Sequence, residues 1–235
     1  MKVSTFQQQL NMFRIDVESA SQCFSAYISI HRTASSNKIV RARLNDTILL
    51  WNTILGSLLS STFVSLGRIF DEDSPHNINK LLSLIKNNPD IFTKQSLRLR
   101  RELETNAATE WIDNFISKAY EPTKEDIRSI RKGVNAWRII FRDKYKDIRH
   151  KIYAHKEVSE PDDISELFAK TNINELIGIL RYLWNLHNQL WNLYHNGSKL
   201  QSENSSAKFR PYDQISDEVE KFLMALPNQH NKSQE

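Results

Sequence analysis

Residues 123–157 read TKEDIRSIRKGVNAWRIIFRDKYKDIRHKIYAHKE, and how this stretch is wound decides the kind of molecule the chain makes. On a helix of about 100° per residue with Phe141 at zero, Ile127, Ile130, Val134, Trp137, Tyr145, Ile148 and Ile152 all lie within about 40° of it. No strand carries such a stripe, because strand side chains alternate with a period of two. The start is marked too. Thr123 with Asp126 three residues on has the form of a capping box, Asp replacing the usual Glu or Gln. The prediction is one helix of roughly thirty residues, its stripe free to serve as bundle core or as a self-association seam.

Working outward, helical periodicity dominates the whole chain and no alternating strand stands out. A helix is expected over about 5–32, broken by TASSNK, and a second over about 38–70. DEDSPHN is a loop, with Ser74-Pro75 or Asn77 starting a short helix, INKLLSLIKNN. NPDIFT breaks again, and a charge-laced helix follows over about 94–119. VSEPDD is a linker, ISELFAK one or two turns, and the last long helix spans about 172–196, stopping at Asn196-Gly197. The fold class is all-α, an antiparallel helical bundle of about five main helices over residues 1–200. Residues 201–235 form a polar tail with a short amphipathic helix around 213–226, able to dock on the body or on a partner.

Composition narrows the classes. Five Gly and six Pro in 235 residues suit long helices with few turns. One cysteine, Cys23, excludes an internal disulfide and makes a cytoplasmic setting the default. The N-terminus shows no apolar signal region. A net charge of +4 is compatible with an anionic partner without requiring one. No charge lies between Asp46 and Arg68, a stretch about long enough to cross a bilayer. Its Thr53, Ser57, Ser60, Ser61 and Arg68 make a polar face, so a buried helix of the bundle is expected and no membrane partner. Gly56 and Ser60 would let a neighbouring helix approach closely.

One flank of the quoted helix is cationic. Arg131, Arg138, Arg142, Arg149 and Lys156 cluster at about 60–100° on the same wheel. They are either a solvated flank whose stems cover apolar edges, or a track for a phosphate backbone gripped by guanidinium groups. His150 falls at about 180°, away from the stripe, and His155 at about −40°, at its edge and near the helix end. A helix C-terminus favours imidazolium and a nearby arginine opposes it, so His155 is the acid–base candidate. Arg149 and His155 are about 120° and roughly 9 Å apart, too far to meet easily at one phosphate from one straight helix. Two copies meeting across a two-fold axis would bring them together.

Here the residues resemble a family. Arg149-x5-His155 fits the R-x(4–6)-H signature of the HEPN superfamily of helical RNA-processing proteins. IRHKIYAHKE is similar to the endings of its abortive-infection, AbiU-like branch. In SLGRIFDED, Arg68 and Asp71 look like the family's arginine–aspartate ion pair on an earlier helix. The resemblance implies metal-independent RNA cleavage at a homodimer interface, with no cofactor or metal. It implies that Arg149 holds the scissile phosphate and His155 moves protons as the 2′-hydroxyl attacks. Arg138, Arg142, His150, Lys151 and Lys156 would grip the RNA. His150 stands where the family usually has Asn or Asp. Glu157 replaces the tyrosine of a subclass silenced by modification, which speaks against that kind of antitoxin but leaves room for another antitoxin or regulatory partner.

Other constellations compete. Arg181-x5-His187 repeats the bare pattern, but His187 lies on its wheel among Leu180, Leu183, Trp184 and Trp191, as a core histidine would. Asp71, Glu72, Asp73 and His76 have metal-ligand chemistry, although loop capping and an ion pair to Arg68 explain them as well. Trp184, His187, Trp191 and Tyr194 form an aromatic stripe suited to helix packing or base stacking. KQSLRLRRE near 94–102 is a second basic patch. No phosphate-binding glycine loop, nucleophile elbow or zinc spacing occurs. The expected function is a dimeric endoribonuclease acting as a toxin or phage-defence effector. The alternatives are a non-catalytic RNA-binding or protein-interaction module and a structural adaptor.

Overall fold

The computed structural model describes residues 2–105, 109–148, 171–200 and 209–226. Among them are nine α-helices, one 3-10 turn and no strand. The helices are α1 (Lys2–Ser36), α2 (Lys38–Asp46), α3 (Ile48–Phe70), α4 (Ile78–Asn87), α5 (Lys94–Thr105), α6 (Thr109–Lys118), α7 (Lys124–Lys144), α8 (Ile173–Asn196) and α9 (Arg210–Ala225). The all-α bundle is as expected, in more pieces. The helix predicted over 38–70 breaks at Thr47, whose backbone leaves the helical region. The one predicted over 94–119 becomes α5 and α6, packed on each other around Leu97, Ile112 and Ile116.

The main core gathers α1, α3, α4, α7 and α8. Phe13, Val17 and Phe24 of α1 meet Phe63, Leu66 and Ile69 of α3, with Leu176, Ile179, Leu183 and Leu190 of α8 closing the other side. The α7 stripe belongs to this core: Val134, Phe141, Tyr145 and Ile148 are buried, and Ile127, Ile130 and Trp137 pack against it. Of the two uses open to the stripe, bundle core or self-association seam, its described part takes the first, packed within the chain. Gly178 on α8 is where Trp137 approaches, for a Cβ there would stand 3.0 Å from the indole ring.

α3 is half buried rather than wholly so. Its C-terminal half sits on α1, while Ile48, Leu49 (79% exposed) and Leu50 face outward. Gly56 has nothing near it, so no neighbouring helix makes the close approach expected there. By length and composition α3 is the one helix among the described residues that would suffice to cross a membrane. α9 docks on α1. Phe209 enters the main core, and Leu223 joins Ile30, Val40 and Leu44 in a second cluster. The helix starts at Arg210, three residues before its expected start, with Pro211 in its first turn.

Candidate nucleic-acid interface

α3 stops at Phe70 because Asp71 turns to extended backbone, its N–H still bonded to Gly67 O at 2.8 Å. The loop 71–77 that follows is locked from inside by Asn77. This side chain donates to Glu72 O (2.8 Å) and Ser74 O (2.9 Å) while accepting from Lys80 N to cap α4. Across from the loop run the last turns of α7, a helix whose far, N-terminal end carries the predicted capping box with both reciprocal bonds present. Between loop and helix lies a groove of about 750 Å³. Its apolar lining includes Phe70 and Phe141, stacked at 4.9 Å. Arg68, Arg138, Arg142 and Lys146 line it, as do Asp71, Glu72 and Asp73.

Each cation is held differently. Arg68 donates from Nη1 to Asp16 Oδ1 at 3.0 Å, and Asp16 on α1 is 5% exposed. The ion pair of Arg68 is therefore with Asp16, 52 residues away, rather than with the expected Asp71; both Arg68 and Asp71 line the groove. Burial raises the Asp16 carboxyl above its ordinary range even though Arg68 pulls it down. Arg138 spans the groove to Glu72 Oε1 at 2.9 Å. Arg142 bonds its neighbour Asp143 at 2.7 Å, which holds the Asp143 carboxyl low. Lys146 forms no ion pair among the described residues. Four cations thus face three carboxylates, and the exposed pairs can exchange for a phosphate at little cost.

α7 runs to Lys144 and is interrupted by a turn at Tyr145 within the helix predicted to reach 155; helical backbone is present again at 146–148, the last described residues before 171. Tyr145 is fully buried at this break. Its hydroxyl donates to Glu175 Oε1 at 2.7 Å and accepts from Asn172 N at 3.2 Å, while Lys144 Nζ reaches Glu175 Oε2 at 2.7 Å. Burial, then the Glu175 carboxylate, pushes the phenol far up. Burial opposes ionisation of Glu175, but hydrogen bonds from Lys144 and Tyr145 outweigh it and hold the carboxyl low. The end of α7 is thereby fastened to the start of α8. Arg149, His150, Lys151, His155 and Lys156 come next in sequence and lie outside the described residues.

The other candidates separate cleanly. His187 is buried (4% exposed) with Trp184 stacked on it, as a core histidine. In the aromatic stripe Tyr194 is also buried, whereas Trp191 is exposed and pairs with His195. The basic patch on α5 has other duties. Arg100 donates to Ile91 O and Tyr194 O, Arg101 to His195 O and Asn196 Oδ1, and Arg98 pairs with Asp113 and Glu102. Arg100 and Arg101 close the carbonyl end of α8. Glu72 goes to Arg138 and His76 to Gln9, and no cluster able to hold a metal occurs among the described residues. Sequence reasoning passed over Lys146, although it stands four residues past Arg142. It had no signal for Asp16.

A family model for HEPN AbiU2 proteins matches residues 4–220, nearly the whole chain. The chain belongs to the HEPN AbiU2 family. The match covers both the groove and most of α9, so this HEPN-type abortive-infection protein includes the tail helix in its family region. Neither the curated proteins nor the solved structures include a match to this HEPN chain.

Proposed function

We propose that this HEPN protein is a metal-independent endoribonuclease, acting as a toxin or phage-defence effector. The observation that supports the reading is the groove. Arg68, Arg138, Arg142 and Lys146 line a channel, and in the sequence Arg149 follows three residues after Lys146 and His155 six residues after that. In this reading the groove cations hold the RNA backbone. His155 takes the proton of a 2′-hydroxyl, whose oxygen attacks the adjacent phosphorus. Arg149 stabilises charge on the resulting phosphorane. Expulsion of the 5′-oxygen, which regains a proton, leaves a 2′,3′-cyclic phosphate and a 5′-hydroxyl. Two copies would share the cleft, with Arg149 and His155 contributed across it.

End-group analysis of RNA incubated with the full chain in excess EDTA tests this. Cyclic-phosphate ends from the wild type, absent with Arg149→Ala and with His155→Ala, are expected. Mixing the two inactive variants should restore part of the activity if the cleft is shared. RNA that is bound but stays intact would replace the nuclease with a non-catalytic RNA-binding module.

A further inference from the structure

A second cavity, of about 550 Å³, opens at the other end of α7, where its first turns meet the end of α4 and the 3-10 turn Pro89–Phe92. Pro89, Pro122 and Ile127 are part of its apolar wall. Lys86, Lys124, Arg128 and Arg131 line it, and no carboxylate does. Arg128 has a partner in Glu125 at 3.0 Å, but both are about three-quarters exposed, and such pairs hold weakly. Lys86, Lys124 and Arg131 form no ion pair among the described residues. Asp126 is occupied in the cap, accepting from Thr123 N and Tyr120 Oη at 2.7 and 2.6 Å.

Cations left unneutralised around an apolar wall suit an anion that also carries a flat apolar face. Inorganic phosphate would leave the wall unused, and an uncharged ligand would leave the cations unused. Arg131 also belongs to the flank that carries Arg138 and Arg142, eleven residues or about 16 Å back from Arg142 along the axis. One cationic row therefore joins this cavity to the groove. We propose that the cavity seats one nucleotide of the RNA strand that lies in the groove, its base against Pro122 and Ile127 and its phosphate on Lys86, Lys124 and Arg131. The strand in this proposal rests on the RNA reading of the groove; the nucleotide site itself does not.

The test uses the full chain carrying His155→Ala, in EDTA, so that any RNA stays intact. Calorimetry with adenosine 5′-monophosphate and with inorganic phosphate, and anisotropy with a short labelled RNA, are compared with and without Lys86→Glu/Arg131→Glu. The nucleotide should bind more tightly than phosphate. The double variant should abolish that binding and weaken the RNA about tenfold or more, with a shallower salt dependence. Arg142→Glu should weaken the RNA alone. Nucleotide binding that is lost while RNA affinity stays unchanged would overturn the strand proposal in favour of a free nucleotide. A nucleotide bound no better than phosphate, or a double variant without effect, would overturn the site. Failure of the wild type to cleave RNA would sink the nuclease reading and leave this result standing.

Discussion

Asp16 and Arg68 are a pair of unequal partners, and that inequality is measurable. Asp16 is 5% exposed and Arg68 57%, so only the carboxylate depends on its partner for solvation. The Asp16 carboxyl is raised on folding, so its contribution to stability is full below its unfolded range and is lost as pH rises through the folded value. At neutral pH Asp16→Asn should therefore change stability by less than about 1 kcal/mol, while Arg68→Ala, which strands the carboxylate, should cost about 1–3 kcal/mol. Urea unfolding of both variants checks the order; equal losses would contradict this account. His187 behaves in the opposite sense. Burial lowers it to about 4, so its contribution is present above the unfolded value and is lost as pH falls towards 4. Between about 6.5 and 4 this amounts to roughly 3 kcal/mol at about 1.4 kcal/mol per unit. His187→Gln should flatten the fall in stability between pH 6.5 and 4.5, whatever it does to stability at pH 7. The same burial explains why one of the two R-x5-H matches was legible as core from its apolar neighbours alone.

Helix ends divide into those written locally and those imposed from afar. Thr123 with Asp126, Asn77 and Gly197 each mark a boundary in the residues beside it, and each was readable before the fold was known. Gly197 is the sharpest case. Its φ of +59° ends α8, its N–H caps Asn192 O and Leu193 O, and a Cβ would stand 2.6 Å from Ala119 Cβ and 2.9 Å from Leu97 Cδ2. Gly197→Ala should cost about 2 kcal/mol or more, through strain and overlap together. Gly56, inside α3 with open space around it, should respond oppositely, Gly56→Ala adding about 0.4–1 kcal/mol. Thermal melts of the two variants should move in opposite directions. The breaks at Thr47 and Tyr145 had no such local mark. Thr47 makes no side-chain cap, and Tyr145 sits on an unbroken apolar stripe, with its partners Asn172 and Glu175 some thirty residues on. Arg100 and Arg101 were likewise read as a basic surface because the carbonyls they close lie on α8.

At the scale of the molecule, the groove and the tail helix occupy opposite ends of α3. The groove takes in Gly67, Arg68 and Phe70, whereas the second cluster, which Leu223 of α9 completes, meets α3 at Trp51, Ile54, Leu55 and Leu58. Ten residues of helix, about 15 Å, separate Leu58 from Arg68. α9 is fastened by Ser25 Oγ donating to Tyr212 O at 2.5 Å and by Ser29 and Arg32 bonding Ser216 Oγ at 2.8 and 2.9 Å. The sequence reading left this helix to dock on the body or on a partner; it docks on the body, with Leu223 fully buried, and the family match runs to residue 220. Deleting its side chain leaves a void that Ile30, Val40 and Leu44 fill only in part, so Leu223→Ala should cost about 2–4 kcal/mol. The loss should be local. Amide exchange should quicken in α2 and in the exposed N-terminal half of α3, where Ile48, Leu49 and Leu50 already face outward, while α7 and α8 keep their protection. RNA affinity should stay within about twofold of wild type, a free-energy change well under 1 kcal/mol. Exchange that rises equally in α7 and α8 would show that α9 is integral to the core around the groove, and the separation argued from α3 would fail.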